Sequence, residues 1–401
     1  MRLVGCAVLF ALWGCEGGAI TIEDGGLGGS GGSAGGGDQD GTPGGPGGSG
    51  GGGQGGAGVD APWCAGGCAW ATDEVASFGG GGLAFATARY KLDAVIDGEG
   101  RVVIATIDVA AGQLRAHIES PGGGFSSANI SNVVAARQGA YVVASNVSLA
   151  RADEGVYAAF ADNRWRIAEP RISGWEVSNH GTPAAQFLYP EVHLAMDASG
   201  VFHFFNQRFY RSGSPQAWVD GPNLPVGTHV RSLGLGADGA PWVLHAVAGD
   251  GAPVVRVLQG DSWVNRTPSG TALSHAAFAE VPGGPPLMLV SRGAGTLQLL
   301  TWADGDWQVE RVVQDASPYT RAIGLARDAA GYLHVAYRDD TGGVAYAWRD
   351  EGGWTSDYVA SVEADELRML LRADGEPVIV ALDEMSPTPS QSTAHVIRPT
   401  R

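Results

Sequence analysis

Four cations recur at one place relative to a turn. Arg231, Arg321 and Arg368 each stand six or seven residues before an Asp that opens a Gly-containing turn, and Lys91 stands in the same relation to Asp97. A guanidinium grips a carboxylate through two parallel N–H donors, so several arginines brought to one point form an anion clamp. If the turns belong to a repeating structure, equivalent positions converge. Lys91, Arg231, Arg321 and Arg368 are therefore a candidate ligand-binding set.

A second set lies in one segment. From Ala168 the chain reads Glu169-Pro170-Arg171-Ile172-Ser173-Gly174-Trp175-Glu176-Val177-Ser178-Asn179-His180-Gly181, the longest connection between repeating units. Long loops on rigid scaffolds carry binding residues. Trp175 offers a flat face to a sugar ring, with Arg171, Glu176 and His180 as polar partners.

Other chemistry is weak. His203 and His334 share a repeat position that Val103, Val142, Trp242, Leu287 and Val378 fill elsewhere, which is an apolar slot, and the nine His of the chain show no metal-ligand spacing. Asp339-Asp340 and Asp383-Glu384 fall in turn sequences, where Asp serves local hydrogen bonding. The sequence contains no His-Glu-x-x-His and no phosphate-binding loop. No metal and no cofactor is expected, and no catalytic residue is assigned. Cys64 and Cys68, in Trp63-Cys64-Ala65-Gly66-Gly67-Cys68, are expected to form a small disulfide loop.

The elements that must position these residues are short strands in a repeat. The clearest unit begins with the apolar run Ala322-Ile323-Gly324-Leu325-Ala326, turns at Asp328-Ala329-Ala330-Gly331, and continues in Tyr332-Leu333-His334-Val335-Ala336-Tyr337. A second turn, Asp339-Asp340-Thr341-Gly342-Gly343, leads to Val344-Ala345-Tyr346-Ala347-Trp348 and then to a fourth run opened by Trp354. Four strands separated by turn residues make one propeller blade. The first turn recurs as Asp97-Gly98-Glu99-Gly100, Gln138-Gly139, Asp197-Ala198-Ser199-Gly200, Asp238-Gly239, Gly283-Gly284 and Asp374-Gly375. The aromatic that opens the fourth strand recurs as Phe125, Trp165, Trp218, Trp263 and Trp307, at intervals of 40 to 53 residues. That interval is a propeller period. A large flat side chain there can fill the wedge that widens between blades.

Counting turns gives about seven units, so the expected fold is an all-β, seven-bladed β-propeller over 61–401, with a six- or eight-bladed ring as the alternative. Its last unit ends after Ala394-His395-Val396-Ile397 without a fourth strand, and Cys68-Ala69-Trp70-Ala71-Thr72-Asp73-Glu74-Val75-Ala76 resembles the missing one. The N-terminal strand is thus expected to close the ring, which removes two open sheet edges.

The remaining N-terminal residues are of another kind. Residues 16–60 are rich in Gly and bury nothing, so they read as a disordered linker spanning about 35 Å on average. Residues 1–15 read as a signal peptide: Arg2, an apolar run to Leu12, then Trp13-Gly14-Cys15. The end of this run resembles the bacterial lipobox, which implies acylation of Cys15 and a place at the outer membrane or cell surface, attached to the membrane through that lipid alone; plain secretion with cleavage nearby is the alternative. Against this background the Asn-x-Ser/Thr triplets at Asn129, Asn146 and Asn265 read as chance matches.

A net charge of -17 argues against nucleic acid as a partner. The blade pattern resembles the sialidase-like, BNR-type propeller repeats of bacterial surface proteins, although Gly260-Asp261-Ser262-Trp263 and Asp304-Gly305-Asp306-Trp307 echo only the tail of that family's Asp box. The resemblance bears on fold, and function lives in the site. The expected protein is a monomeric, tethered, non-catalytic binding module for a glycan or protein at the channel mouth. A degenerate sialidase-like glycosidase and a structural subunit of an envelope complex are the alternatives.

Overall fold

The computed structural model describes residues 68–78 and 92–400, apart from short stretches at 109–110, 133–134, 139–140, 145, 162–163, 181–190, 248–252, 270–274, 280–286, 293–294, 318–321 and 385–390. The signal peptide, Cys15, the Gly-rich linker, Cys64, Lys91, Arg321 and the Gly283-Gly284 turn lie outside the described residues. Cys68 is disulfide-bonded.

Seven four-stranded antiparallel sheets account for almost all regular structure. The chain begins with β1 (Ala69–Phe78). Blade I is β2 (Leu92–Ile96), β3 (Val102–Asp108), β4 (Gln113–Glu119) and β5 (Phe125–Ser131). A separate hairpin, β6 (Ala135–Gln138) with β7 (Tyr141–Ala144), follows. Blade II is β8 (Val147–Ala152), β9 (Gly155–Ala161), β10 (Trp165–Arg171) and β11 (Gly174–Asn179). Blade III is β12 (Val192–Met196), β13 (Phe202–Asn206), β14 (Phe209–Ser214) and β15 (Ala217–Asp220). Blade IV is β16 (Thr228–Leu235), β17 (Pro241–Val247), β18 (Pro253–Gln259) and β19 (Ser262–Asn265). Blade V is β20 (His275–Ala279), β21 (Leu287–Arg292), β22 (Thr296–Ala303) and β23 (Asp306–Val313). Blade VI is β24 (Ile323–Arg327), β25 (Leu333–Arg338), β26 (Val344–Asp350) and β27 (Gly353–Ala360). Blade VII is β28 (Ala364–Leu371), β29 (Pro377–Glu384) and β30 (Ser392–Thr400), completed on its outer edge by β1.

The expected closure is therefore present. β1 pairs with β30 from Ala69↔Thr400 to Phe78↔Ser392. Arg398 adds an ion pair to Asp73 at 2.6 Å.

The turn chemistry also matches. In five blades the first turn carries a Gly at positive φ: Gly100, Gly200, Gly239, Gly331 and Gly375. Its Asp accepts amide hydrogens from within the turn, as Asp97 does from Glu99 and Arg101 at 2.9 Å. A compact Asx-type turn of this kind needs the left-handed residue that Gly supplies without strain.

The core is divided among the blade interfaces. Seven buried clusters each join two neighbouring blades, and each contains one fourth-strand aromatic: Phe125, Trp175, Trp218, Trp263, Trp307, Trp354 and Trp70. Three of the indoles also donate to the preceding blade: Trp263 to the Pro222 carbonyl at 2.7 Å, Trp307 to the Arg266 carbonyl at 2.5 Å, and Trp354 to Glu310 at 2.9 Å. In these three blades the ring fills the wedge and its one polar group finds an acceptor there.

Blade II corrects the sequence reading. Trp165 opens the third strand of that blade, and Trp175 is the fourth-strand aromatic. The Gln138-Gly139 turn belongs to the separate β6–β7 hairpin, and the first turn of blade II is Asp153-Glu154. The segment expected as a long inter-blade loop is instead the end of β10, a tight turn and β11, paired from Arg166↔Asn179 to Arg171↔Gly174. With Trp175 in place of Trp165 the aromatic interval narrows to 43 to 50 residues.

Candidate functional site

The innermost strands β2, β8, β12, β16, β20, β24 and β28 line a central channel with a cavity of about 620 Å³. One edge of each of these strands has no strand partner, and its backbone N–H and C=O groups need other acceptors and donors. A girdle of side chains near the middle of these strands supplies them. Arg368 of blade VII donates to the Leu92 carbonyl of blade I at 3.0 Å and to Asp93 at 2.6 Å. Asp93 accepts the Leu149 amide of blade II at 2.6 Å. Ser148 accepts the Leu194 amide of blade III at 3.0 Å, and Asn146 bonds both backbone groups of Val192 at 2.6 Å. His193 donates Nε2–H to the Val230 carbonyl of blade IV at 2.8 Å, since a carbonyl only accepts. Ser232 accepts the Phe278 amide of blade V at 3.3 Å. At the same level in blade VI stands Gly324, where a Cβ would lie 2.6 Å from the Met369 amide nitrogen of blade VII. The backbones of these two blades touch directly.

The girdle places two of the predicted cations. Arg368 is committed to Asp93, the two side chains being 28% and 15% exposed. Arg231 is not its equivalent. The ladder slips between Val230 and Ser232, so Arg231 is the extra residue of a β-bulge, and Ser232 occupies the girdle position. Both arginines line the cavity. Lys91 and Arg321 lie outside the described residues. His193 faces the channel beside Asp93 and Arg368, and burial pushes its imidazole down to about 4, so it is neutral near pH 7.

Between the girdle and the first turns the wall is largely apolar, with Ile96, Met196, Leu233, Phe278, Leu325 and Leu371. At the first-turn end stand Arg151, Asp153 and Arg327, all exposed. Sequence reasoning missed these three. Each adjoins a first turn, and their position after an apolar strand was the available signal.

Arg171, Trp175 and His180 lie at the outer edge of blade II, remote from the channel in the strand order. They do not meet. Trp175 packs inward with Val177 against the cluster shared by blades I and II. Arg171 is held by Glu169 and Glu176, both at 2.7 Å, and these carboxylates strengthen its hold on its proton. His180 bonds Ser178 at 2.7 Å and stacks edge-on against Trp218 of blade III. Burial, aided by Arg211, lowers its affinity for a proton.

The slot histidines are core groups. His203 bonds the Tyr210 hydroxyl at 2.9 Å and His334 that of Tyr346 at 2.6 Å, each with its turn Asp near the other ring nitrogen. Burial lowers both, against the pull of Asp197 and Asp328. Among the described residues no three His, Cys, Asp or Glu side chains gather as metal ligands would.

No protein-family profile and no curated protein matches this chain. Solved structures do. The β-propeller domain of Cps50 (Swd1) from Myceliophteria thermophila is similar over 81% of this chain and 99% of that one, with a TM-score of 0.50 and 11% identity. The Aleuria aurantia lectin solved with Fucalpha1-6GlcNAc is similar over 67% of this chain and 95% of its own, with a TM-score of 0.45 and 12% identity. AofleA from Arthrobotrys oligospora is similar over 82% and 87%, with a TM-score of 0.43 and 13% identity. At these identities the likeness is one of fold, and the chain is an all-β, seven-bladed propeller.

Proposed function

We propose that this chain is an exported, tethered, non-catalytic binding module that takes a glycan or a group of a protein partner into its central channel. The observation that carries this reading is the division of labour along the channel. The reactive side chains at the girdle are spent on blade-to-blade bonds, Arg368 with Asp93 and His193 with the Val230 carbonyl. Toward the first turns there remains an apolar wall with charged groups at its rim, in a cavity of about 620 Å³. Concave sites of roughly 300–1,000 Å³ with placed polar groups are typical of small-ligand binding, and this one exposes polar and apolar surface in about equal parts. A sugar suits such walls, having apolar C–H faces and a polar rim.

Thermal unfolding of the full chain against neutral and acidic glycans tests the reading. A ligand at a hundred times its Kd stabilises by about 2.7 kcal/mol if it binds only the folded state. Stabilisation without turnover supports a binding module. Turnover of an aryl glycoside would make the chain a glycosidase. No shift across the panel, together with co-purification of one fixed partner, would make it an envelope subunit.

A further inference from the structure

We propose that the first-turn end of the channel is an anion site, in which Arg151 of blade II and Arg327 of blade VI hold the carboxylate or sulfate of the ligand; this rests on the channel being the binding site. The cavity is lined by four arginines, Arg151, Arg231, Arg327 and Arg368, against two aspartates, Asp93 and Asp153. The lining is thus net positive in a chain whose net charge is -17. A cleft of one sign with low-dielectric walls concentrates ligands of the other sign.

The positive charge is not evenly committed. Arg368 is neutralised by Asp93 at 2.6 Å. Arg151 and Arg327 form no ion pair among the described residues, although both lie on the cavity. Of the first-turn aspartates, Asp153 lines the cavity, whereas Asp97, Asp197 and Asp328 do not. Asp97 serves Arg101, Asp197 serves His203, and Asp328 serves the Tyr332 amide. Arg327 is also placed by the fold. Its guanidinium lies against Gly331, 3.2 Å from where a Cβ would stand, so the Gly that the turn needs also leaves room for the cation. Asp153 stands beside the site as the group that would repel an anion and limit its affinity.

The probes are sugar carboxylates and sugar sulfates with their neutral parent sugars, and a peptide with a free C-terminal carboxylate with its amide. Binding to the full chain is measured by calorimetry at two salt concentrations. The anionic member of a pair should bind at least about ten-fold more tightly than its neutral parent, since hydrogen bonds to charged groups carry that much. The preference should shrink with salt and be lost in Arg327→Ala and Arg151→Ala at unchanged melting temperature. Asp153→Asn should tighten it. Which pair responds tells a glycan acid from a peptide terminus. Equal binding of charged and neutral members would overturn the anion site and leave the channel as a binding site. Anion binding indifferent to both arginine substitutions would overturn this placement. No binding by any probe would overturn both.

Discussion

Arg368 and Asp93 join the last blade to the first: Arg368 Nε donates to Asp93 Oδ1 at 2.6 Å, while Asp93 Oδ2 accepts the Leu149 amide of the second blade, also at 2.6 Å. One carboxylate thus ties three consecutive blades at the channel wall. A propeller ring is closed only if every neighbouring pair holds, so the bond between first and last blades bears on the stability of the whole. Removing one partner of a mostly buried ion pair leaves the other charge poorly solvated. Arg368→Ala should therefore lower stability by about 2 kcal/mol in denaturant unfolding. If it is neutral, the girdle is not holding the ring together.

The contact between blades VI and VII is backbone against backbone. Gly324→Ala would place a methyl 2.6 Å from the Met369 amide nitrogen. Overpacking of this kind costs about 1–3 kcal/mol. The loss should appear as a lower denaturant midpoint, with no change if the inter-blade spacing is looser than described.

Acid should attack the closure next to β1. Glu119 accepts from Arg372, from Arg398 and from the Val102 amide, at 2.8 to 3.0 Å. Burial works to raise its pKa, but the Val102 amide, Arg372 and Arg398 outweigh it and hold the carboxyl below its ordinary 4.5. A carboxylate depressed in the folded state contributes stability above its unfolded value and loses it as pH falls through the folded value. The contribution should be complete above about pH 4.5 and fade below it. Glu119→Gln should lower stability near neutrality and flatten the acid limb below pH 4.5. An unchanged limb would contradict the closure network.

Two buried histidines, His117 and His245, and the half-buried His193 act in a higher window. His117, His193 and His245 are each pushed to about 4, in every case first by burial. The unfolded chain takes up these protons near 6.5, so stability should decline progressively from about pH 6.5 toward 4. His193→Gln can still donate to the Val230 carbonyl and should reduce that slope. Equal slopes in the two proteins would place His193 in water.

Much of this fold is legible in the sequence because its signals are steric. Gly at positive φ and Asp at the first turn, with a Trp or Phe opening the fourth strand, answer to backbone geometry and to the wedge between blades. Blade II escapes the turn signal because its first turn is only two residues, Asp153-Glu154, closed by Ala152↔Gly155, where five other blades carry a Gly at φ of 76–95° in a longer turn, while the β6–β7 hairpin offers a decoy in Gln138-Gly139. The shift by one strand turned a hairpin into an apparent loop and made Trp175 look available to a ligand. Trp175→Ala should consequently cost about 2 kcal/mol of stability through the emptied wedge, whereas Arg171→Ala should change the melting temperature little.

The girdle was illegible for a different reason. Its members are Asp93, Ser148, His193, Ser232, Gly324 and Arg368, five residue types at six positions. Only strand register reveals that they perform the same task. The bulge at Arg231 further disguises it, by setting a cation next to the position that corresponds to Arg368. Even the Asn146-Val147-Ser148 triplet, unremarkable in the sequence, joins blades II and III by hydrogen bonds between Asn146 and both backbone groups of Val192 and from the Leu194 amide to Ser148.

On the proposed reading the channel separates support from binding, with the girdle arginine holding the ring and the first-turn arginines meeting the ligand. The most direct test measures melting temperature and affinity for an acidic sugar together, in Arg368→Ala and Arg327→Ala. Arg368→Ala should lower the melting temperature and retain binding, whereas Arg327→Ala should leave the melting temperature unchanged and lose binding. The reverse pattern, or loss of binding in Arg368→Ala at unchanged stability, would contradict it.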